Sequence, residues 1–133
     1  MSDMLLVVAV AMLDGEGRVL LQQRPPGKPM AGLWEFPGGK IEANESPEAA
    51  LARELHEELG IILSVKDLRP IAFASEPLAG RHLLLLLYTL DTWQGTPAAH
   101  HATELRWVTP AEMRTLPMPP ADVPLVEALA GVV

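Results

Sequence analysis

The chain has 133 residues, of which 49% are apolar and 20% charged, with a formal net charge of −7 at pH 7; this predicts a single domain, 1–133, that buries a sizeable core. The negative charge argues against binding nucleic acid polymers, whose affinity comes largely from Lys and Arg on phosphates. The absence of cysteine excludes disulfide and thiol chemistry and is typical of a cytoplasmic protein.

Two apolar, β-rich runs open the chain, Met4 to Leu13 and Arg18 to Gln23. The sequence DGEG between them has two glycines, so the runs are predicted to pair as a β-hairpin. The first run is too short for a membrane span, which needs about 20 apolar residues. A signal peptide would carry Lys or Arg before such a run, and none precedes it here. We therefore expect a buried strand and no membrane association.

The next segment is irregular, because Arg24 to Gly32 contains three prolines and two glycines. The sequence LWEF after it predicts a short strand that stops at PGG. The glycines of PGG let backbone groups approach a metal or a phosphate closely, although for this segment taken by itself a plain tight turn is the favoured interpretation.

Ser46 to Leu59 gives the clearest helix signal. Ser46 suits the N-cap, Pro47 suits the first helical position, and Gly60 suits the C-terminal stop. Apolar residues recur at helical spacing and predict a core-facing stripe of Ala50 (or Ala49), Leu51, Leu55 and Leu59.

The remaining pattern mixes strands and helices. Strands are predicted at Leu68 to Ser75, His82 to Leu90 and Leu105 to Val108, and helices after Thr109-Pro110 and near Leu125 to Ala130, with an extended proline-rich loop between the two helices. This order indicates an α/β or α+β domain with a mixed sheet.

Three glutamates of the helix, Glu54, Glu57 and Glu58, are spaced i, i+3 and i+4 and share one face. A solvated acidic face is one explanation. Like charges at this spacing are destabilising, however, and Arg53 lies toward one side of the cluster. Clustered carboxylates without a matching protein cation suit Mg²⁺, which prefers oxygen ligands. A metal would also supply the positive charge that an acidic domain needs to bind a small anion.

The segment 39–61, called the box below, carries a fixed pattern. Gly39 is followed after five residues by Glu45, and after seven more by Arg53-Glu54-Leu55-x-Glu57-Glu58-x-Gly60-Ile61. Nine fixed positions make a highly specific signal. The pattern resembles the Nudix box without departure. The stretches LWEFPGGKIE, ELRWV and PPADVPL extend the resemblance to MutT-type Nudix hydrolases over nearly the full chain, and PADVPLVEAL is most similar to the CTP pyrophosphohydrolase branch.

This resemblance implies an α/β/α sandwich with a mixed sheet. It also implies an activity, the Mg²⁺- or Mn²⁺-dependent attack of water on a nucleoside triphosphate that releases a nucleoside monophosphate and pyrophosphate. The implied biological role is that of an 8-oxo-dGTP diphosphatase that cleanses the nucleotide pool and so protects DNA replication. The partner is thus a small nucleotide, and the protein is expected to be a monomer or a homodimer.

Carried onto this sequence, the resemblance implies a metal site and its supports. The metal ligands would be the Gly38 carbonyl, Glu54, Glu57, Glu58 and an outermost group. Glu54 would also be the general base, with Arg53 orienting it and Glu57 beside it. Glu45 would brace the loop against the helix, with Gly39 and Gly60 as structural positions of the box. The outermost ligand aligns with His101 rather than a glutamate, so the nearby Glu104 is preferred, because Mg²⁺ favours oxygen over imidazole.

The resemblance further implies nucleotide contacts by Arg24, Phe36, Gly38, Gly39, Arg81 and Asp122. An ionised Asp122 only accepts hydrogen bonds, which favours a base edge rich in donors, such as N4 of cytosine or N1–H and N2 of guanine. Alternatively, Asp122 only caps the last helix.

Three alternatives to 8-oxo-dGTP hydrolysis stay open. One is hydrolysis of CTP, dCTP or a modified cytosine nucleotide. A second is a Nudix enzyme for another diphosphate. The third is a non-catalytic nucleotide-binding module, but such a module has no need of the box glutamates, and all of them are present.

Overall fold

A computed structural model describes residues 3–133 of the chain. In chain order its elements are the strands β1 (Met4–Met12), β2 (Val19–Gln23), β3 (Trp34–Glu35) and β4 (Gly38–Lys40), the helix α1 (Pro47–Leu59), the strands β5 (Arg69–Leu78), β6 (Arg81–Leu90) and β7 (Leu105–Val108), and the helices α2 (Pro110–Met113) and α3 (Val123–Ala130). A 3₁₀ turn at Val65–Asp67 precedes β5. None of the helices within residues 3–133 is long and apolar enough to cross a membrane.

The strands form two sheets, and the larger one is mixed as predicted. Its order is β4-β1-β6-β5, with β1 parallel to β6 along the whole length of β1 and the other pairs antiparallel. The smaller sheet has the order β3-β2-β7 and is antiparallel.

Strand β1 separates two hydrophobic cores, because successive side chains of a strand point to opposite faces. Val8, Val10 and Met12 pack with the helix α1, whereas Ala9 and Ala11 pack on the side of α3. With a helix on each side of the sheet, the chain forms the predicted α/β/α sandwich.

The predicted hairpin between the first two strands is wrong. β1 and β2 share only the bridge between Leu13 and Val19 and then enter different sheets. The turn itself is ordered, because the Asp14 carboxylate accepts from the Arg18 amide at 3.1 Å. The strands diverge because β4 and β6 already flank β1 on both edges, so β2 finds its partners in β3 and β7.

The helix α1 confirms the local signals. Ser46 Oγ accepts from the Ala49 amide at 3.1 Å, and Gly60 takes the left-handed conformation at φ 72°. The buried stripe consists of Ala50, Leu51, Leu55 and Leu59, as expected.

Other boundaries differ because pairing extends them. The segment after Pro37 is not a plain turn, since 38–40 forms β4 against β1. β5 continues to Leu78, because its ladder with β6 runs up to the turn at Ala79 and Gly80.

Gly38 is required where β4 meets β1. A Cβ atom there would overlap the Val8 carbonyl oxygen and lie 2.7 Å from Ala9 Cα. Both are backbone atoms of the central strand, so they cannot move without disturbing the sheet.

We therefore expect Gly38→Ala to lower the free energy of unfolding by about 1–3 kcal/mol, the usual cost of overpacking, as measured by urea denaturation without metal. Gly131→Ala is the matched control, because a Cβ there meets its nearest atom, Ala128 O, at an ordinary 3.7 Å. Equal stability of the two variants would contradict this account of Gly38.

Candidate active site

The glycines of β4 place the box loop directly against α1. A Cβ atom at Gly39 would overlap the carboxylate of Glu54. The Glu54 side chain, 15% exposed, therefore lies in a slot that only glycine leaves open. This contact explains why the box needs glycine at its first position.

Arg53 ties the box loop to the helix. Its Nε donates to Glu45 Oε2 at 2.8 Å and its Nη2 donates to Glu45 Oε1 at 3.0 Å, a two-point pairing. Nη2 also donates to the Lys40 carbonyl oxygen at 3.1 Å. The same hydrogen bonds lower the pKa of Glu45 to about 2, helped by the backbone amide of Glu42. Glu45 thus stays ionised and bonded to Arg53 over the working pH range.

Two of the helix glutamates flank the same guanidinium. Arg53 Nη1 lies 3.4 Å from Glu57 Oε1 and 3.6 Å from Glu54 Oε2. Glu54 and Glu57 are therefore partly compensated by a protein cation. The third, Glu58, has no such ion pair within residues 3–133. Of the three helix carboxylates that were expected to lack a protein cation, only Glu58 is without one in this part of the chain.

Glu58 begins a chain of polar contacts that leaves the helix. Its Oε1 accepts from Gln22 Nε2 at 3.1 Å, and the same nitrogen lies 3.4 Å from Glu35 Oε2. Glu35 Oε1 in turn accepts from Arg24 Nη1 at 3.0 Å. The strands β2 and β3 thus link the helix glutamates to Arg24.

Burial raises the pKa of several of these carboxyls. The pKa of Glu58 rises to about 7 because of desolvation, opposed by the hydrogen bond from Gln22. Desolvation also raises the pKa of Glu54, against the attraction of Arg53. Desolvation raises the pKa of Glu35 as well, while Arg24 lowers it. The acids are held in surroundings that favour either protonation or a bound cation.

The C-terminus of α1 is capped by the loop before β7. The last carbonyls of a helix lack intrahelical partners. Here the amides of Ala98 and His100 donate to the carbonyls of Leu59 and Glu58 at 3.0 and 3.1 Å. His100 Nδ1 lies 3.2 Å from the Glu57 carbonyl. Gly60 is required by its φ of 72°, and the ring of His100 lies against it, 2.7 Å from where a Cβ would be.

A cavity of about 610 Å³ opens beside Glu58, and its walls include Gln22, Arg24, Lys28, Glu35, His100 and His101. The structure thus places Arg24 and His101 at the cavity with Glu58. Glu104, the preferred outermost ligand, does not line this cavity and is exposed; its backbone carbonyl accepts from the Gln23 amide at 2.9 Å.

Phe36 and Asp122 meet on the other side of the sheet. Phe36 is 3% exposed and belongs to the core, and its amide donates to Asp122 Oδ2 at 3.3 Å. Asp122 precedes α3 but its side chain makes no capping hydrogen bond, so the capping alternative is wrong. Desolvation and the nearby Glu35 charge raise the pKa of Asp122 to about 7. A carboxyl with this pKa is partly protonated near neutral pH, and its protonated form can donate a hydrogen bond as well as accept one.

Arg81 lies apart from these groups. It opens β6, and its Nη2 is 3.5 Å from the Met4 carbonyl oxygen. Arg81 does not line the cavity beside Glu58.

The donor set fits a hard divalent cation. The Glu54, Glu57 and Glu58 carboxylates and the Gly38 carbonyl all offer oxygen, which Mg²⁺ prefers. Burial raises the pKa of Glu54 and of Glu58, so a bound cation would stabilise the ionised form of each. In the described part of the chain, no three acidic or histidine side chains converge tightly enough to hold a metal by themselves. A divalent cation bound to these carboxylates would therefore have waters among its ligands.

Sequence reasoning missed Gln22 and Glu35. One signal was available for Gln22, which stands two residues after the buried Leu20 and so continues a core-facing row with a polar side chain. Glu35 carried no such signal, because a two-residue strand is too short to show alternation.

Comparison with known proteins gives close relatives. The chain is 42% identical over 121 residues to a CTP pyrophosphohydrolase of Escherichia coli, covering 91% of this chain and 88% of the relative. It is 33% identical over 130 residues to an 8-oxo-dGTP diphosphatase of Haemophilus influenzae, covering 97% and 94%.

Solved structures agree with this. The E. coli ORF135 protein superposes with a TM-score of 0.87 at 39% identity, covering 98% of this chain and 91% of that one. A MutT NUDIX hydrolase from Burkholderia pseudomallei gives a TM-score of 0.78 at 28% identity, with 98% of each chain covered. The family model described as NUDIX domain matches residues 4–129. With the box glycines, Arg53, Glu45 and the helix glutamates arranged as described, the chain belongs to the Nudix family.

Proposed function

We propose that the protein is a divalent-metal-dependent nucleoside triphosphate pyrophosphohydrolase that converts its substrate and water to a nucleoside monophosphate and pyrophosphate. The observation that carries this proposal is the placement of Glu54. Its carboxylate is held by Gly39 and Arg53 beside two further glutamates, and burial raises its pKa. A raised pKa brings a carboxylate closer to the pH at which a general base works best.

In this mechanism Glu54 accepts a proton from the attacking water. Arg53 orients Glu54 and is itself fixed by Glu45. Glu54, Glu57, Glu58 and the Gly38 carbonyl would hold Mg²⁺ or Mn²⁺, and the metal would neutralise the phosphate oxygens as charge develops on them. Arg24 and Lys28 line the adjoining cavity and offer positive charge to the phosphates that the acidic domain otherwise lacks.

We propose 8-oxo-dGTP as the substrate, with cytosine nucleotides as the second candidate. Asp122 supports the first candidate, because a carboxyl with a pKa of about 7 is partly protonated at neutral pH and can donate to O6 as well as accept. The second is supported by the E. coli relative named for CTP. Either activity belongs to the cytoplasm, where the nucleotide pool is. Measurement of pyrophosphate release over a panel of nucleotides separates them, and no release from any would overturn the proposed function.

Glu54→Gln should reduce the rate by about 10² to 10⁴, the usual loss for a general base, because the amide accepts no proton. The fold should survive, since Glu54 lies off the buried stripe of α1. The measurement is kcat for pyrophosphate release at saturating Mg²⁺, with melting temperature as the check on folding. Glu16→Gln, which removes an exposed carboxylate in the β1–β2 turn, is the control. A folded Glu54→Gln protein with wild-type turnover would show that Glu54 is not the base.

Asp122→Asn should change the ranking of substrates. At a pH of about 8, above its pKa of about 7, Asp122 is mostly ionised. The amide then accepts from cytosine N4 with a neutral bond in place of a charged one, which lowers kcat/KM for CTP. It also offers a donor to O6, so kcat/KM for 8-oxo-dGTP should hold or rise. A neutral hydrogen bond contributes about 1 kcal/mol and a charged one about twice that. The ratio of kcat/KM for 8-oxo-dGTP to that for CTP should therefore move roughly tenfold. An unchanged ratio rules out base reading by Asp122.

Asp122→Asn should also flatten the pH dependence of stability. The native carboxyl has a pKa of about 7, against an ordinary value of 3.8. Between about pH 4 and 7 the unfolded chain has released a proton that the native state keeps. The free energy of unfolding therefore falls as pH rises, by at most about 1.4 kcal/mol per pH unit for this group. The variant has no carboxyl at this position, so this fall in the free energy of unfolding is absent from it.

Urea denaturation in EDTA across that pH window measures the free energy of unfolding of variant and wild type. The difference between the two should grow in the variant's favour as pH rises. Asp91→Asn removes an exposed carboxylate and is the control with which the slope is compared. A difference for Asp122→Asn that does not change with pH would contradict the raised pKa.

A further inference from the structure

Gln22 is one of two polar side chains that are buried within residues 3–133, the other being Asp122. It is 6% exposed and stands on β2, where the preceding residues Leu20 and Leu21 are fully buried and apolar. A polar side chain that continues a core row costs free energy unless its groups are bonded.

The neighbours of Gln22 determine how its amide is turned. Its nitrogen faces two carboxylate oxygens, Glu58 Oε1 at 3.1 Å and Glu35 Oε2 at 3.4 Å. Carboxylates accept and do not donate when ionised, so the donor end of the amide must point to them. The reverse orientation would set three oxygens against one another.

That orientation leaves Gln22 Oε1 without a partner. The oxygen is shielded from solvent and accepts no hydrogen bond from the described residues. Buried acceptors in native proteins are rarely left unsatisfied, and an exception calls for an explanation such as an ion or water. Gln22 also lines the cavity that Glu58 and Arg24 share. An unpartnered acceptor on a residue of the cavity wall can be satisfied by a water or an ion bound there.

We propose that Gln22 is a positioning residue of the metal site. Its nitrogen fixes the Glu58 carboxylate, and its oxygen accepts a hydrogen bond from a water in the coordination sphere of the cation that Glu58 binds. This rests on the proposed function. Mg²⁺ keeps several waters when bound to protein, and each is a donor. Groups that hold a ligating carboxylate or its waters tune metal affinity without touching the metal.

Two substitutions test the nitrogen and the oxygen separately. Gln22→Met keeps the length of the side chain and removes both polar groups. Gln22→Glu removes the donor but keeps oxygens at the same place and adds a negative charge. The probe is the metal alone, with free Mn²⁺ followed by electron paramagnetic resonance and no nucleotide present. The melting temperature with and without Mg²⁺ gives a second readout.

Gln22→Met should weaken Mn²⁺ binding about ten- to hundred-fold and shrink the rise in melting temperature on adding Mg²⁺. Gln22→Glu should lower the melting temperature without metal, because a third carboxylate joins Glu35 and Glu58. It should nevertheless bind Mn²⁺ roughly threefold or more tightly than wild type, since added ligand charge raises cation affinity. A purely structural role would destabilise both variants without moving the two affinities in opposite directions.

Gln94→Met, at an exposed glutamine, is the matched control and should bind Mn²⁺ as wild type does. Glu58→Gln reports on the metal site itself. If Glu58→Gln loses binding while Gln22→Met keeps it, the role of Gln22 is overturned and the proposed function stands. If Gln22→Glu loses Mn²⁺ affinity as Gln22→Met does, the role of the oxygen is overturned. If the wild-type protein binds no Mn²⁺, the proposed metal site fails and this inference fails with it.

Discussion

The pairing of Arg53 with Glu45 is the interaction on which the site depends. It joins the loop after β4 to α1 through two short hydrogen bonds, and a third reaches the Lys40 carbonyl. Two-point pairing of guanidinium and carboxylate fixes orientation as well as distance. The loop is thereby pressed onto the helix, and Gly39 comes so close to Glu54 that a side chain has no room. Without that closure, Glu54 would be one solvated carboxylate of an acidic helix.

The site is built at a cost to stability. Glu54, Glu58, Glu35 and Asp122 are all desolvated enough that their pKa values rise. Each raised pKa means that the folded protein disfavours the ionised form. Such groups are typical of functional sites, where burial prepares an acid for proton transfer or for a cation. Glu45, fully paired, shows the opposite shift, so the supporting carboxylate and the working ones are distinguished by their surroundings alone.

Both ends of α1 are fixed, which keeps its glutamates in register with the sheet. Ser46 caps the first turn, and the loop at Ala98 and His100 takes up the free carbonyls of the last one. The same loop carries His101 into the wall of the cavity. Which of His101 and Glu104 lies near the metal site thus depends on how the loop packs against the end of the helix. The chemistry of the two residues alone did not indicate this.

The sequence by itself determined what depends on neighbours within a turn or two. The bounds of α1, its buried stripe and the glycine that ends the helix all follow from spacings of a few residues, and the structure has them as predicted. The box pattern likewise indicated the family, because all of its fixed positions lie within one short segment of the chain.

The tertiary structure alone decided which strands pair and what surrounds the buried acids. β1 leaves β2 because β4 and β6 take its edges, and no local pattern states that competition. Gln22 meets Glu58 across 36 positions of the chain, and Asp122 meets Phe36 across 86. A local spacing carries no information about contacts at such separations. Desolvation, which sets the pKa values here, is likewise a property of the packed surroundings and not of the residue type.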